Sequence, residues 1–346
     1  MKIYNSISIN DLNLRNRIVM APLTRGFADN ITGEVNNLIV DYYKRRARYE
    51  VGLIISEGIL INNTAKGSYG IPGLFTEKQV EAWKKVTTAV HEENGIIFAQ
   101  LWHVGRLSHS KLLNNMNPIS PSATIPKGYV HRLGIPYEAS RSVSRKEIFE
   151  LINDYKVAAQ NALKAGFDGI EIHAAHGYLI DQFINEKTNL RKDDFGGNIE
   201  NRLRLLSLVL NEVTKVISPD KISVRISEKK DDDTHYYWTQ PEETLKSIIS
   251  VLNKFDIRIL HLSANDYFTH IKNHDQTIFQ LARKYWPNIL IGVGNISPSE
   301  AEKIIENDEL DLVAFGRPFL GNPDLVIKMK SRQNINLYQY DLNNLY

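Results

Sequence analysis

The sequence predicts an α/β protein, a (β/α)8 TIM barrel built as one domain over residues 1–346. Short apolar runs recur along the chain, and each is followed by a longer segment of helical periodicity, as expected for a parallel sheet with crossover helices. Eight such runs occur over about 300 residues, whereas a doubly wound sheet more often has about five or six strands and an early G-x-G-x-x-G motif. No such motif follows the first run. The pattern therefore favours a closed barrel.

Each predicted strand precedes a predicted helix. The strands are predicted at residues 17–21, 52–56, 96–101, 169–173, 222–227, 258–262, 289–293 and 311–315. The helices are predicted at residues 35–48, 76–94, 144–165, 199–217, 240–255, 276–285, 298–307 and 323–332. A long irregular stretch, residues 103–143, follows the third strand and is rich in Pro, Ser and Asn. Because long loops in compact domains are usually functional, we expect this excursion to cover the active-site face.

Composition excludes several classes of function. The chain has 42 Lys and Arg against 40 Asp and Glu and no long basic block, so nothing favours a nucleic-acid partner. It has no cysteine, which excludes thiolate nucleophiles and cysteine-ligated metal clusters, so redox chemistry would need an organic cofactor. The first ten residues lack the apolar core of a signal peptide, and no run is long enough to span a membrane. We expect a cytoplasmic protein that acts on a small molecule.

Polar residues stand where the predicted strands end, which is where barrel enzymes place their catalytic groups. Side chains alternate between the two faces of a strand, so Glu171 and His173 are expected to point into the barrel mouth. Arg225 lies between two β-branched residues of the fifth strand and would be costly to bury unless it meets an anion or an electron-rich ring. The long polar segment after this strand, residues 228–238, is interpreted as a solvated loop.

A phosphate site is predicted after strands seven and eight. Gly294 and Gly316 let backbone N–H groups approach an anion closely, and Arg317 can add a charge-assisted contact. Glycines are also common at the ends of strands simply because they allow the chain to turn. The combination with Arg317 favours a phosphorylated ligand.

His173, His176 and Tyr178 form the most informative group. Two histidines three residues apart resemble a metal site, but zinc needs a third protein ligand and none is evident, so no metal is predicted. The histidines could be purely structural. At a barrel mouth, however, two imidazoles and a phenol can polarise and protonate a carbonyl compound. Gln100 and Trp102 are alternate residues of the third strand and therefore point to the same face. There they either line the pocket or have ordinary structural roles, Trp102 in packing and Gln100 in hydrogen bonding.

Taken together, these motifs resemble the Old Yellow Enzyme family of flavin-dependent ene-reductases. The resemblance runs from about residue 12 to residue 324. It rests on residues 16–25 (NRIVMAPLTR), 99–106 (AQLWHVGR), 171–179 (EIHAAHGYL), 195–202 (FGGNIENR) and 316–319 (GRPF).

The resemblance implies that the protein binds FMN. By position, the flavin ring would be held by Pro22, Leu23, Thr24, Gly58, Gln100, His173 and Arg225, and the phosphate by Gly294, Asn295, Gly316 and Arg317. The substrate would contact Trp102, His173, His176, Tyr178 and Tyr267. Arg225 would lie beside the flavin atoms where negative charge grows on reduction.

The resemblance also implies a ping-pong reaction. NAD(P)H would deliver hydride to the flavin, and an activated alkene would then receive it at its β-carbon while Tyr178 protonates the α-carbon. Two segments depart from the family pattern, namely residues 26–29 and 228–238, and the chain lacks a Gly-Tyr-rich C-terminal tail. The sequence leaves open which alkene is the physiological substrate, whether the reductant is NADH or NADPH, and whether the protein is a monomer or a homodimer.

Three other functions are compatible with parts of this sequence pattern. The same barrel serves flavin-dependent dehydrogenases and demethylases, but those carry a cysteine-bound cluster that this chain cannot form. A flavin-free phosphate-binding isomerase or aldolase could use His173 and Tyr178 for acid–base work. A non-catalytic flavin-binding protein would not explain Tyr178 beside two histidines.

Overall fold

Eight parallel strands close into a barrel in the computed structural model, which describes residues 1–230, 233 and 235–338. In chain order the barrel strands are β1 (Ile18–Met20), β2 (Leu53–Leu60), β3 (Ile97–Trp102), β4 (Gly169–Ala174), β5 (Ile222–Ile226), β6 (Ile259–Ser263), β7 (Ile289–Val293) and β8 (Leu312–Phe315). Each strand pairs with its neighbours in the chain, and β8 pairs with β1. The predicted TIM barrel is confirmed.

Helices surround the barrel between successive strands. They are α1 (Asn37–Arg48), α2 (Glu77–Glu92), α3 (Arg145–Lys164), α4 (Leu179–Ile184), α5 (Ile199–Arg202), α6 (Arg204–Val213), α7 (Pro241–Lys254), α8 (Ile278–Tyr285), α9 (Pro298–Glu306), α10 (Arg317–Gly321) and α11 (Leu325–Lys330). Short 3-10 helices lie at Lys2–Tyr4, Asn63–Ala65, Ser110–Leu112 and Pro219–Lys221. No helix within the described residues is long and apolar enough to cross a membrane.

All eight predicted strands and helical regions are present, with three differences. Strand β2 continues to Leu60, because a register irregularity between Ile55 and Gly58 lets the polar residues Ser56 and Glu57 remain in the sheet. The helix predicted at residues 199–217 is two helices that meet at Leu203. The short helices α4 and α10 have too few residues to produce a recognisable helical period, so the sequence did not predict them.

An N-terminal hairpin closes the bottom of the barrel. Its strands, Ile7–Ile9 and Leu12–Leu14, pair antiparallel. Ile9, Leu12 and Leu14 pack against residues at the starts of the barrel strands, including Leu53 and Ile259. Strands of three residues give a weak alternation signal, which is why the sequence analysis did not predict them. The hairpin leaves the opposite end of the barrel as the open mouth.

The excursion after the third strand crosses this mouth. It carries a small parallel pair, Ile119–Ser120 with Arg141–Ser142, and a small apolar cluster of its own. Arg132 of the excursion donates to the backbone carbonyls of Arg25 and Gly26, which directly follow the first strand's exit from the barrel. The excursion therefore lies on the C-terminal face, as predicted.

Helix α3 begins with a capping box that offers a test of local stability. Ser144 Oγ accepts the Glu147 N–H at 3.3 Å, and the Glu147 carboxylate accepts the Ser144 N–H at 2.7 Å. We expect Ser144→Ala to lower the free energy of unfolding by about 1 kcal/mol, because the Glu147 N–H in the first turn loses its side-chain acceptor. Urea denaturation measures the change. Ser250→Ala, at an exposed position inside α7, is the control and should be neutral or slightly stabilising, and an equal loss there would contradict the assignment.

Candidate active site

Strand register stacks the inward-facing side chains of β3 to β6 in two layers. Gln100 pairs with Glu171, Glu171 with Ser223, and His173 with Arg225, while His261 lies opposite Arg225 on the other side. The register sets Gln100, Glu171 and Ser223 in a lower layer and His173 and Arg225 in an upper layer, which Trp102 of β3 joins. The two β6 residues are grouped by their side-chain contacts: the His261 ring reaches down to Glu171 and belongs with the lower layer, and Ser263 accepts from Arg225 and belongs with the upper layer. Because side chains alternate along a strand, every second residue contributes to this interior.

Hydrogen bonds join the lower layer into one buried network. Gln100 Nε2 donates to Glu171 Oε1 at 2.9 Å, and Ser223 Oγ donates to Glu171 Oε2 at 2.9 Å. His261 Nδ1 lies 2.8 Å from the same Oε2. Burial alone raises the pKa of Glu171, but the hydrogen bonds that Glu171 accepts from His261 and Ser223, together with the nearby positive charge of Arg225, outweigh it and lower the pKa. The lower layer thus carries a carboxylate.

Arg225 of the upper layer is buried with part of its guanidinium unused. Its Nη2 donates to Ser263 Oγ at 3.0 Å, and its Nε has no hydrogen-bond partner within residues 1–230, 233 and 235–338. Burial lowers the pKa of Arg225, and the Glu171 carboxylate opposes that shift. An unsatisfied donor on a buried cation is costly unless an acceptor from a ligand meets it.

Trp102, His173, His176 and Tyr178 form an aromatic cluster above Arg225. The Tyr178 ring lies edge-on to Trp102 and to His173, with ring centroids 4.9 Å apart in both pairs. His176 occupies the left-handed region at φ 57°, which turns its ring toward His173 at 5.3 Å. The three residues predicted to act on the substrate are therefore brought together.

Both histidines of this cluster are neutral. Burial lowers the pKa of each well below 6.5, and Arg225 and His261 lower both further. His173 Nδ1 accepts the Ala175 N–H at 3.3 Å, so its proton lies on Nε2. A neutral imidazole with a fixed tautomer presents one donor to the space in front of it.

A cavity of about 710 Å³ opens beside Arg225. It is lined by the predicted cofactor residues Pro22, Leu23, Arg225, Asn295, Gly316 and Arg317. Thr24, Gly58 and Gln100 lie at the same edge of the sheet, where Gly58 donates to Thr24 Oγ1 at 3.4 Å and pairs with Gln100. The predicted cofactor residues thus converge on one side of the mouth.

The far end of the cavity is suited to a phosphate. Arg317 Nη2 donates to Asn295 Oδ1 at 3.2 Å, and Gly316 precedes the short helix α10. A Cβ on Gly294 would approach the Tyr267 backbone nitrogen to 2.8 Å, so this position needs glycine. The orphaned Arg225 Nε at one end and this arginine and glycine cradle at the other fit the ring and the phosphate of FMN.

Comparison with known proteins agrees with this geometry. The sequence profile of the NADH:flavin oxidoreductase / NADH oxidase family matches residues 2–336. The chain belongs to this family. It is 36% identical over 338 residues to a putative 12-oxophytodienoate reductase 11 of Oryza sativa subsp. japonica, an alignment that covers 94% of this chain and 89% of the relative.

Solved structures of Old Yellow Enzyme type share the fold. The homologue from Zymomonas mobilis superposes with a TM-score of 0.90 at 36% identity, covering 97% of this chain and 94% of that one. Morphinone reductase in complex with tetrahydroNAD superposes with a TM-score of 0.88 at 33% identity, covering 97% and 92%. This member of the NADH:flavin oxidoreductase family is an FMN-dependent oxidoreductase, so the predicted resemblance is confirmed.

Tyr267, a predicted substrate contact, is buried and its side chain contacts other parts of the protein. Its hydroxyl donates to Glu309 Oε2 at 2.9 Å, and its ring packs 4.5 Å from Phe279 in the helix layer. The sequence did not indicate these contacts, because a loop residue has no strand parity from which its direction can be inferred.

The segment 228–238 is less solvated than predicted. Tyr236 and Trp238 are buried, each 2% exposed, under the run of charged residues. The described part of this loop and the residues after β6 line a second cavity of about 410 Å³, which includes Tyr237 and Lys272. Asp231, Asp232 and Thr234 lie outside the described residues. In this segment the aromatic residues indicate burial, whereas the charged residues led to the prediction of a solvated loop.

The C-terminal segment also contributes to the site. Residues 335–338 line the 710 Å³ cavity, and the Tyr338 hydroxyl lies 3.1 Å from Arg25 Nη2. Buried Asn322 clamps this segment, because its Nδ2 donates to the Asn336 carbonyl at 3.0 Å and its Oδ1 accepts the Asn336 N–H at 2.9 Å. The C-terminal region therefore reaches the cofactor cavity through residues 335–338.

Sequence reasoning missed two further inward residues, His261 and Ser263. Both lie on β6 at alternate positions, and Ser263 Oγ is 2.9 Å from His176 Nε2. The alternation of apolar and polar residues in the run LHLSA is the signal that indicates both, as it does for the inward residues of β4 and β5.

Gly58 offers a test of the flavin side of the mouth. A Cβ at this position would lie 2.4 Å from Trp102 Cε3. We expect Gly58→Ala to displace the indole and to weaken FMN binding about tenfold or more, since overpacking costs about 1–3 kcal/mol. Fluorescence titration of the apoprotein with FMN measures this. The double variant Gly58→Ala/Trp102→Leu should recover part of the affinity, and wild-type affinity in the single variant would contradict the prediction.

Proposed function

We propose that this protein reduces the activated C=C bonds of α,β-unsaturated carbonyl or nitro compounds in a ping-pong reaction, with NAD(P)H as reductant and Tyr178 as proton donor. The observation that carries the proposal is the convergence of His173, His176 and Tyr178 on one space above Arg225. Two relatives named for oxo compounds, 12-oxophytodienoate reductase and morphinone reductase, support this substrate class.

The two histidines are assigned to the activating oxygen of the substrate. His173 offers its Nε2–H, because Nδ1 already accepts a backbone N–H. Ser263 Oγ accepts from Arg225, so its own hydrogen can go to His176 Nε2, which leaves the His176 proton on Nδ1. Two neutral donors aimed at one oxygen stabilise the negative charge that grows there as hydride arrives.

Tyr178 is assigned as the acid. Its ring is held edge-on by Trp102 and His173, which restricts the direction of the hydroxyl. A phenol keeps its proton at neutral pH and can release it to an enolate-like carbon. The residue acts at the α-carbon while the histidines hold the oxygen of the same substrate.

Bound FMN supplies the hydride chemistry, accepting hydride from the nicotinamide and returning it to the alkene. Arg225 would face the ring atoms that gain negative charge, with its free Nε as donor. Gly294, Asn295, Gly316 and Arg317 would hold the phosphate, which anchors the ring against Pro22, Leu23, Thr24, Gly58 and Gln100. We further propose that residues 1–346 act as one domain, in a cytoplasmic monomer or homodimer.

Anaerobic half-reactions test the function and the role of Tyr178 together. NADH or NADPH should bleach the flavin bands of the purified protein, and 2-cyclohexenone should restore them. In Tyr178→Phe we expect bleaching at the wild-type rate but reoxidation by the enone slower by about 10²–10⁴-fold, because only the second half-reaction needs the proton. Stopped-flow absorbance measures both rates. Flavin that no enone reoxidises in the wild type would rule out the ene-reductase assignment, and equal slowing of both halves would rule out the specific role of Tyr178.

The pH dependence follows from the histidines. Their folded pKa values lie below the ordinary range, so both stay neutral as the pH falls from about 8 to about 6. We expect kcat/KM for 2-cyclohexenone to show no histidine titration across that interval. Initial rates at constant ionic strength measure the profile. A break near pH 6.5 that disappears in His176→Asn would show that a protonated imidazole takes part.

A further inference from the structure

Glu171 is a buried carboxylate that the proposed mechanism does not use. It has no exposed surface, and its two oxygens bind Gln100, Ser223 and His261 from three different strands. It lies one layer below His173 and Arg225. Charged side chains are seldom buried this fully unless their charge is compensated, so this position calls for an explanation.

The charges around the mouth are few. His173, His176 and His261 all have lowered pKa values through burial and are neutral. Among the described residues of the two layers, Glu171 and Arg225 therefore carry the charges, and each affects the ionisation of the other. In a medium of low effective dielectric constant, a charge in the lower layer is felt strongly in the upper one.

We propose that the Glu171 carboxylate lowers the reduction potential of the FMN by offsetting the positive charge of Arg225 from beneath. The inference rests on the proposed function, since it takes Arg225 as the residue beside the flavin ring. Arg225 alone favours the added negative charge of the reduced flavin, whereas a fixed anion below it disfavours that charge. Glu171 is thus a positioning and tuning residue that touches neither flavin nor substrate.

The two half-reactions have opposite needs, which gives this tuning a purpose. A high potential favours reduction by the nicotinamide but makes hydride transfer to the alkene less favourable. Glu171 moves the balance toward the second step. A scaffold role for the same residue, holding the Gln100 amide and the His261 ring, would affect FMN affinity and stability without requiring a change in potential.

The experiment measures the midpoint potential of FMN-loaded enzyme by anaerobic spectroelectrochemical titration. In Glu171→Gln, which keeps the side-chain shape and removes the charge, we expect the equilibrium to shift at least about tenfold toward reduced flavin, a rise of about 30 mV for a two-electron couple. Reduction by NADH should be faster and reoxidation by 2-cyclohexenone slower than in the wild type.

Two control variants separate charge from scaffold. Ser223→Ala removes one hydrogen bond to Glu171 and leaves the charge, so its potential should stay close to the wild-type value. Glu171→Asp keeps the charge and shortens the side chain, which weakens the contacts to Gln100 and His261, and its potential should also stay close.

An unchanged potential in Glu171→Gln, or an equal rise in Ser223→Ala, would overturn the proposal. If Glu171→Gln does not hold FMN, Glu171→Asp decides: a near-wild-type potential supports the charge, and a raised one supports the scaffold. A wild-type protein that binds no FMN would instead overturn the proposed function itself.

Discussion

The in-register pairing of β3 to β6 is the constraint on which the rest of the site depends. Because neighbouring parallel strands are fixed residue against residue, Glu171 must lie beside Gln100 and Ser223, and His173 must lie beside Arg225. A slip of one residue would turn these polar groups into the helix layer and the isoleucines of β4 into the mouth. The apolar outward faces, buried under helices, prevent that slip.

The two interior layers have separate tasks. In the lower layer both oxygens of the Glu171 carboxylate are hydrogen-bonded, and this polar floor is costly to rearrange, since each lost partner leaves a buried group unsatisfied. The upper layer keeps free donors, notably Arg225 Nε. A hydrogen-bonded carboxylate beneath a buried cation with an unpaired donor is the arrangement expected where a ligand completes the hydrogen bonding.

Three segments from different parts of the chain lie over the barrel mouth. The excursion is fixed to the exit of β1 through Arg132, and the C-terminal segment is clamped by Asn322. The segment after β5 buries Tyr236 and Trp238 near the turn that carries Tyr178. Loops at a barrel mouth can change without altering the strands beneath them. These three segments are therefore the places where substrate range can vary on an unchanged barrel.

The sequence by itself determined the barrel, the positions of its strands and the chemical types at their ends, because alternation of apolar runs with helices and the period-two parity are local signals. Parity placed Glu171, His173 and Arg225 in the interior, and the family motifs added the cofactor. Tertiary structure decided what local signals do not contain. It showed that Tyr267 points to Phe279 and Glu309, that β6 supplies His261 and Ser263, and that residues 335–338 return to the cavity. Each of these depends on contacts between segments far apart in the chain, whose directions are set by packing rather than by local sequence.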